Sequence, residues 1–357
     1  MYYILLFIIG ISLSAFFTFF VRKAALYLNI VDAPDKERKF HHGTIPFLGG
    51  VGIFLAFFII LFFVRGNLLS GNLEIRHWLG FFLGACFLVI GGVLDDKYRL
   101  APKYQIIFPL LASFAVIAGG VEIIKITNPL GDFLHLNTFK IPVLYFSNSW
   151  HYFVVASDTL IIVWLMGMMY TTKLLDGVDG LVSGVSAIGG LVIFLFTMTT
   201  KYYQPDIGLA ALVLASVALG FLIFNWHPAK IFLGESGSLF LGYTLGVLAI
   251  ISGGKIAIAL LVMGIPIMDV VWIIIQRLRE GKNPFKIADR KHLHFRLIDS
   301  GISIRKTVFI FYALSLSFGL SALFLQSRGK VFALGILVLI MFGLVVSSTY
   351  LGKKGRP

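Results

Sequence analysis

Eleven apolar runs, most of them near 20 residues long, leave this chain few ways to fold. They cover about residues 2–21, 47–64, 78–94, 104–121, 158–172, 180–198, 207–224, 238–252, 255–276, 307–325 and 331–350. A helix needs about 20 apolar residues to cross roughly 30 Å of hydrocarbon, whereas a membrane β-barrel shows alternating segments of about 10 residues. The runs here are continuous. The expected fold is therefore all-α, a polytopic integral membrane protein with about 11 transmembrane helices. Composition agrees, with 58% hydrophobic and 13% charged residues, against about 45–50% and about 25% in soluble domains. Residues 1–357 read as a single membrane-embedded domain, closed by helices at about 307–350.

The formal net charge of +13 raises nucleic acid as a partner, but its distribution argues for the lipid bilayer instead. Of the 30 lysines and arginines, 22 fall in alternate loops that one orientation places on the same side. The positive-inside rule then puts the N-terminus outside and the C-terminus in the cytoplasm. No nucleic-acid partner is expected. Met1-Tyr2-Tyr3-Ile4 lacks a basic leader, so the first run reads as a retained helix rather than a cleaved signal. The lone Cys86 has no intramolecular disulfide partner and suits a packing role.

The same orientation carries Asp95, Asp96, Asp176, Asp179, Glu235, His41, His42, His292 and His294 to the cytoplasmic face. Five loops distant in sequence thus converge, which predicts a site at that surface. The longest outer segment, about residues 127–157, contains Asn128-Pro129, Gly131 and Ile141-Pro142, and predicts turns with a short hairpin.

Four stretches carry chemistry. Asp95-Asp96 ends the third run. Adjacent carboxylates stay ionised together only when a cation is close, and acids are unfavourable at a helix C-terminus. The plain alternative is solvated acids balanced by Lys97, Arg99 and Lys103. Asp176-Gly177-Val178-Asp179-Gly180 spaces two more acids between runs. Mg²⁺ usually keeps several waters and takes one or two carboxylates, although either acid could instead cap the next helix. In Asn225 to Ser238, glycines flank Glu235-Ser236 ahead of a helix N-terminus suited to phosphate. Phe232 there is either interfacial packing or a face for a base. Finally, Arg277 to Lys306 holds nine basic residues against three acids, with His292-Leu293-His294 following Asp289-Arg290. Arginine and histidine suit diphosphate recognition and proton transfer. Asp269, inside a run after Gly264 and Pro266, is a functional candidate as an intramembrane acid.

Together these residues resemble the polyprenyl-phosphate N-acetylhexosamine-1-phosphate transferases, a family related to the phospho-MurNAc-pentapeptide translocases. The matching segments, in order over about residues 30–300, are Arg38-Lys39-Phe40-His41 through Gly49-Gly50, Leu94-Asp95-Asp96 with Leu100 and Lys103, Leu175 to Leu181, Asn225 to Ser238, and Asp289 to His294. The resemblance implies transfer of a sugar 1-phosphate from a UDP-sugar to undecaprenyl phosphate, with release of UMP, at the bacterial cytoplasmic membrane. It implies Mg²⁺ as cofactor, with Mn²⁺ as an alternative ion. It implies catalytic roles for Asp95, Asp96 and Asp179, and metal ligation by Glu235 and Asp179. Donor or acceptor binding would fall to Lys39, His41, Lys103, Lys173, Asp176, Asn225, Phe232, Arg290, His292 and His294. Asp95 or Asp96 would help the lipid phosphate attack, as base or electrostatic anchor, with an aspartyl-phosphate route also open. A homodimer is compatible with this reading.

Three residues depart from the family pattern. Lys173 stands where asparagine is usual, Glu235 where the metal aspartate is expected, and Phe295 where another histidine is common. The spaced His-Leu-His favours an N-acetylglucosamine donor over phospho-MurNAc-pentapeptide. The rival readings are that second donor, a non-catalytic relative, and a secondary transporter, which would need midplane charges and inverted repeats.

Overall fold

A computed structural model describes residues 1–32, 44–71, 73–128, 133–146, 149–199, 203–253, 256–281 and 291–354. The apolar runs fold into helices. Among the described residues, seven are long and apolar enough to cross a membrane: α1 (Tyr2–Tyr27), α4 (Ile75–Tyr98), α7 (Val155–Leu175), α9 (Pro205–Asn225), α10 (Gly234–Ile251), α14 (Ile304–Phe324) and most of α15 (Ser327–Lys354). The pair α11 (Ile256–Val262) and α12 (Gly264–Arg279) makes an eighth if its 82° bend is counted within one span. The remaining apolar runs give shorter helices: α2 (Gly49–Phe63), α5 (Pro102–Gln105) with α6 (Ile107–Ala118), and α8 (Leu181–Thr197). The chain is thus a polytopic helical membrane protein.

Helices α9 and α10 form the centre. Both are apolar on every side and buried along most of their length, as a helix surrounded by other helices must be. Helices α1, α2, α4, α7 and α8 pack around them. Their closest approaches rely on small residues, which let backbones meet. The bend between α11 and α12 falls at Met263-Gly264, and Pro266 in the first turn of α12 lacks only an N–H that a helix start leaves unpaired.

The stretch at about residues 127–157 contains the expected hairpin, β5 (Lys140–Phe146) paired antiparallel with β6 (Ser149–Val154). A smaller pair, β3 (Lys125–Thr127) with β4 (Phe133–His135), precedes it. Asp158, in the first turn of α7, accepts the Val154 N–H and fixes the strand-to-helix junction.

At the opposite end of the bundle, α4, α7 and α9 terminate while α2, α8, α10 and α14 begin. Two short strands flank the start of α2: β1 (Val31–Asp32) pairs with β2 (Ile45–Pro46). The chain after β2 runs alongside the loop before α10, with Phe232 N–H donating to Pro46 O and the Gly49 and Gly50 N–H groups donating to Phe232 O and Leu233 O. Backbone bonds therefore tie the start of α2 to the start of α10, although Gly49 and Gly234 are 185 positions apart in the chain.

Candidate active site

The two acids that end α4 are held differently. Arg99 takes a left-handed φ of 52° and turns the chain out of the helix. Asp95 Oδ1 then accepts the Leu100 N–H and the Gln105 amide, each at 2.9 Å. Asp96 Oδ1 accepts the Glu235 N–H at 2.9 Å, in the first turn of α10. An acid unfavourable at the end of its own helix is thereby placed at the positive end of another. Among the described residues, Asp96 Oδ2 is buried without a hydrogen-bond partner.

Lys173, in the last turn of α7, reaches the same place. Its ammonium contacts Glu235 Oε1 at 2.5 Å and Gln105 Oε1 at 3.0 Å. Gln105 links the two halves of the cluster, because its amide nitrogen holds Asp95 while its oxygen holds Lys173. Asp176 follows three residues later. Among the described residues no donor reaches its carboxylate, and burial, with Asp96, Glu235 and Asp179 nearby, raises its pKa well above the ordinary carboxylate range. Such a group favours the arrival of a cation.

The second acid of that stretch is engaged elsewhere. Asp179 Oδ2 lies 2.7 Å from His227 Nδ1 and accepts the Ala229 N–H at 3.1 Å. Asn225, buried at the end of α9, spends its amide inside the protein. It accepts from Gly180 N–H and the Ser183 hydroxyl and donates to Ile231 O, at 3.0 to 3.2 Å. Tyr312 and Arg305 of α14 reinforce this corner through Gly180 O and His227 O. Phe232 is half-buried, its ring 5.9 Å from that of Phe47. Lys103 is exposed beside Tyr104. Lys39, His41 and Arg290 lie outside the described residues.

The histidines enter through α13 (Leu293–Asp299). Asp269 of α12 bonds to His292 Nδ1 at 2.8 Å and accepts the Leu293 N–H at 2.9 Å. A carboxylate only accepts here, so Nδ1 carries a proton. This contact accounts for the intramembrane acid. His294 is fully buried, stacks 5.7 Å from His292, and among the described residues finds no hydrogen-bond partner for either ring nitrogen. Its Nε2 abuts Gly177, where a Cβ would lie only 3.1 Å away. His294 therefore borders the loop that carries Asp176 and Asp179.

Burial first, then His292, lowers the His294 pKa from 6.5 to about 3. The folded protein keeps this ring neutral while an unfolded chain protonates it below 6.5. Stability from this source is complete above pH 6.5 and is lost as pH falls toward about 3. Thermal midpoints measured across that range should fall more steeply for the parent than for His294→Phe. Parallel curves would show that the ring is not buried neutral.

The structure thus brings Asp95, Asp96, Lys173, Asp176, Glu235 and His294 to one end of the bundle and engages Asp179 and Asn225 as braces. Gln105, Asp269 and Tyr312 join them without having been expected as partners of these residues. The model of the glycosyl transferase family 4 matches residues 78–253, which include Asp95 through Glu235. A probable undecaprenyl-phosphate N-acetylglucosaminyl 1-phosphate transferase of Bacillus subtilis (strain 168) is 31% identical over 98% of this chain and 93% of its own length. The chain belongs to glycosyl transferase family 4.

Other relatives differ in the transferred group that their names state. A phospho-N-acetylmuramoyl-pentapeptide-transferase of Halalkalibacterium halodurans is 30% identical over 90% of this chain and 96% of its own. An undecaprenyl-phosphate alpha-N-acetylglucosaminyl 1-phosphate transferase of Thermotoga maritima is 30% identical over 88% and 87%. The family 4 reading also bears on Mg²⁺. Among the described residues no three His, Cys, Asp or Glu side chains form a ready metal cage. Even so, the buried Asp96 Oδ2 and the unpaired Asp176 carboxylate are hard oxygen donors of the kind Mg²⁺ takes one or two of.

Proposed function

We propose that this chain transfers N-acetylglucosamine 1-phosphate, or a closely related N-acetylhexosamine 1-phosphate, from its UDP-sugar to undecaprenyl phosphate. UMP is released, and the lipid-linked product begins a cell-surface glycan. The observation that carries this reading is the near full-length similarity to the Bacillus subtilis relative, together with the gathering of acids, a lysine and a histidine at one end of the bundle. The end that holds the cluster would face the cytoplasm of the bacterial inner membrane, with about eleven helical runs crossing it and the N-terminus outside.

In the reaction, an oxygen of the lipid phosphate attacks the sugar-linked phosphorus in line. The new P–O bond forms as the bond to UMP breaks, and UMP leaves with the electron pair. The attacking phosphate is already anionic at neutral pH, so it needs placement more than deprotonation. Asp96 and Asp176 would hold Mg²⁺, which supplies positive charge against the negative charge developing on UMP. Asp95 fixes Gln105 and through it Lys173, and stands as the remaining carboxylate for a proton. His294, neutral and bordering Gly177, offers one donor and one acceptor next to Asp176.

Assay of UMP release from a panel of UDP-sugars, with and without undecaprenyl phosphate, tests the proposal. Release that requires the lipid, with UDP-N-acetylglucosamine as best donor, is the expected result. The Halalkalibacterium relative keeps phospho-MurNAc-pentapeptide transfer as the second reading, and preference for UDP-MurNAc-pentapeptide would establish it. UMP from no donor would leave a non-catalytic relative. EDTA should stop turnover and Mg²⁺ restore it, whereas turnover in EDTA would remove the metal from the scheme.

A further inference from the structure

The residue expected to ligate the metal already has a cation. Glu235 and Lys173 meet at 2.5 Å with side chains only 12% and 22% exposed. Exposed pairs are worth little, but a pair this sheltered cannot lose one partner without leaving an unbalanced charge. Gln105 gives the ammonium a second anchor at 3.0 Å and is itself held by Asp95 and by Leu100 O, each at 2.9 Å. The lysine head is therefore fixed in place rather than tethered loosely.

Both members of the pair depart from the family pattern. Lysine stands where asparagine is usual, and glutamate, longer by one methylene, stands where aspartate is expected. An ammonium has three donors. Among the described residues Glu235 and Gln105 take two, with the Tyr170 ring centroid 5.6 Å from the ammonium, which leaves the third for an anion. A divalent ion bound to the same carboxylate would meet a positive charge within contact range, where like charges repel strongly in a sheltered site.

We propose that Lys173 is a built-in counter-cation that withholds Glu235 from the divalent metal, leaving the metal to Asp96 and Asp176 and one ammonium donor to the donor's diphosphate. This rests on the transferase reading for its metal and diphosphate, but its test does not depend on turnover. The purified full-length chain, in detergent without nucleotide, is titrated with Mn²⁺, and free Mn²⁺ is read by electron paramagnetic resonance.

Glu235→Gln should leave Mn²⁺ affinity within about twofold of the parent. Lys173→Met, which frees Glu235 and removes the repulsion, should tighten it at least about fivefold, and the double variant should return toward the parent. Lys173→Arg, which keeps the charge, should resemble the parent. Fivefold or greater weakening in Glu235→Gln would make Glu235 a metal ligand and overturn the proposal. Unchanged or weaker binding in Lys173→Met would also overturn it, as would a failure of all variants to bind Mn²⁺. Should Lys173→Met not fold, Glu235→Gln alone decides. UMP release with a flat Mn²⁺ series defeats this inference and spares the transferase reading; the expected Mn²⁺ series without UMP from any donor does the reverse.

Discussion

Asp96→Asn is expected to cut UMP release at least about a hundredfold, the order lost when one group that stabilises developing charge is removed. The substitution is conservative for the fold. Asparagine keeps an oxygen for the Glu235 N–H that Asp96 Oδ1 now accepts at 2.9 Å. What it removes is the charge, and it turns the buried, unpartnered Oδ2 into an amide that can no longer bind a cation. UDP-sugar affinity measured by calorimetry should survive better than turnover, because the substitution leaves the other polar side chains of the cluster unchanged. Asp95→Asn should be milder, since Asp95 Oδ1 is already shared between Leu100 and Gln105 and an amide oxygen can replace it there. Full activity in Asp96→Asn would sink the assignment of the reacting centre to this helix end.

The adjacent acids were visible in the sequence, but their division of labour was not. Each role depends on a partner far away along the chain: Glu235 lies 139 residues from Asp96, and the Lys173 contact with Gln105 spans 68 residues. Gln105 sits in a one-turn helix with no apolar periodicity to mark it, and a glutamine between two charged groups carries no sequence signal of its own. Asp269 stood out only because an acid inside an apolar run is costly. Its partner, His292, comes within reach because the 82° bend redirects α12.

Asn225 and Asp179 show the opposite case. Their residue types suit ligand recognition equally well as bracing, and only the positions of Gly180, Ile231, His227 and Ala229 decide that they close the loop between α9 and α10. The helical class needed no such partners. Continuous apolar runs leave hydrogen bonding within each segment as the only way to satisfy the backbone in lipid, so the helices were legible while their lengths and bend were not. Helices α2 and α8, of 15 and 17 residues, begin only at Gly49 and Leu181 because Leu48 and Gly180 ahead of them turn the chain with left-handed φ values of 77° and 79°.

Gly92→Ala is expected to cost nearly as much activity as Asp96→Asn, by a purely steric route. A Cβ at Gly92 would lie 2.2 Å from both the N and the Cα of Ser236. These are backbone atoms in the first turn of α10, so no side-chain rotation relieves the clash. Nor can α10 simply retreat, since on another side Gly50 of α2 leaves space for a Cβ only 2.1 Å from Gly237 N. The first turn of α10 is wedged between α4 and α2, and that wedge sets the 2.9 Å approach of Glu235 N–H to Asp96. Overpacking of this kind costs about 1–3 kcal/mol, which should lower the thermal midpoint in detergent. The accompanying shift of α10 should separate Asp96 from Glu235 and reduce UMP release to a small fraction of the parent. Gly167→Ala supplies the control: among the described residues nothing lies within 4 Å of a Cβ there, and alanine favours the helix. A Gly92→Ala protein with parental midpoint and turnover would mean that α4 and α10 slide apart freely, and that the carboxylates do not depend on this contact for their placement.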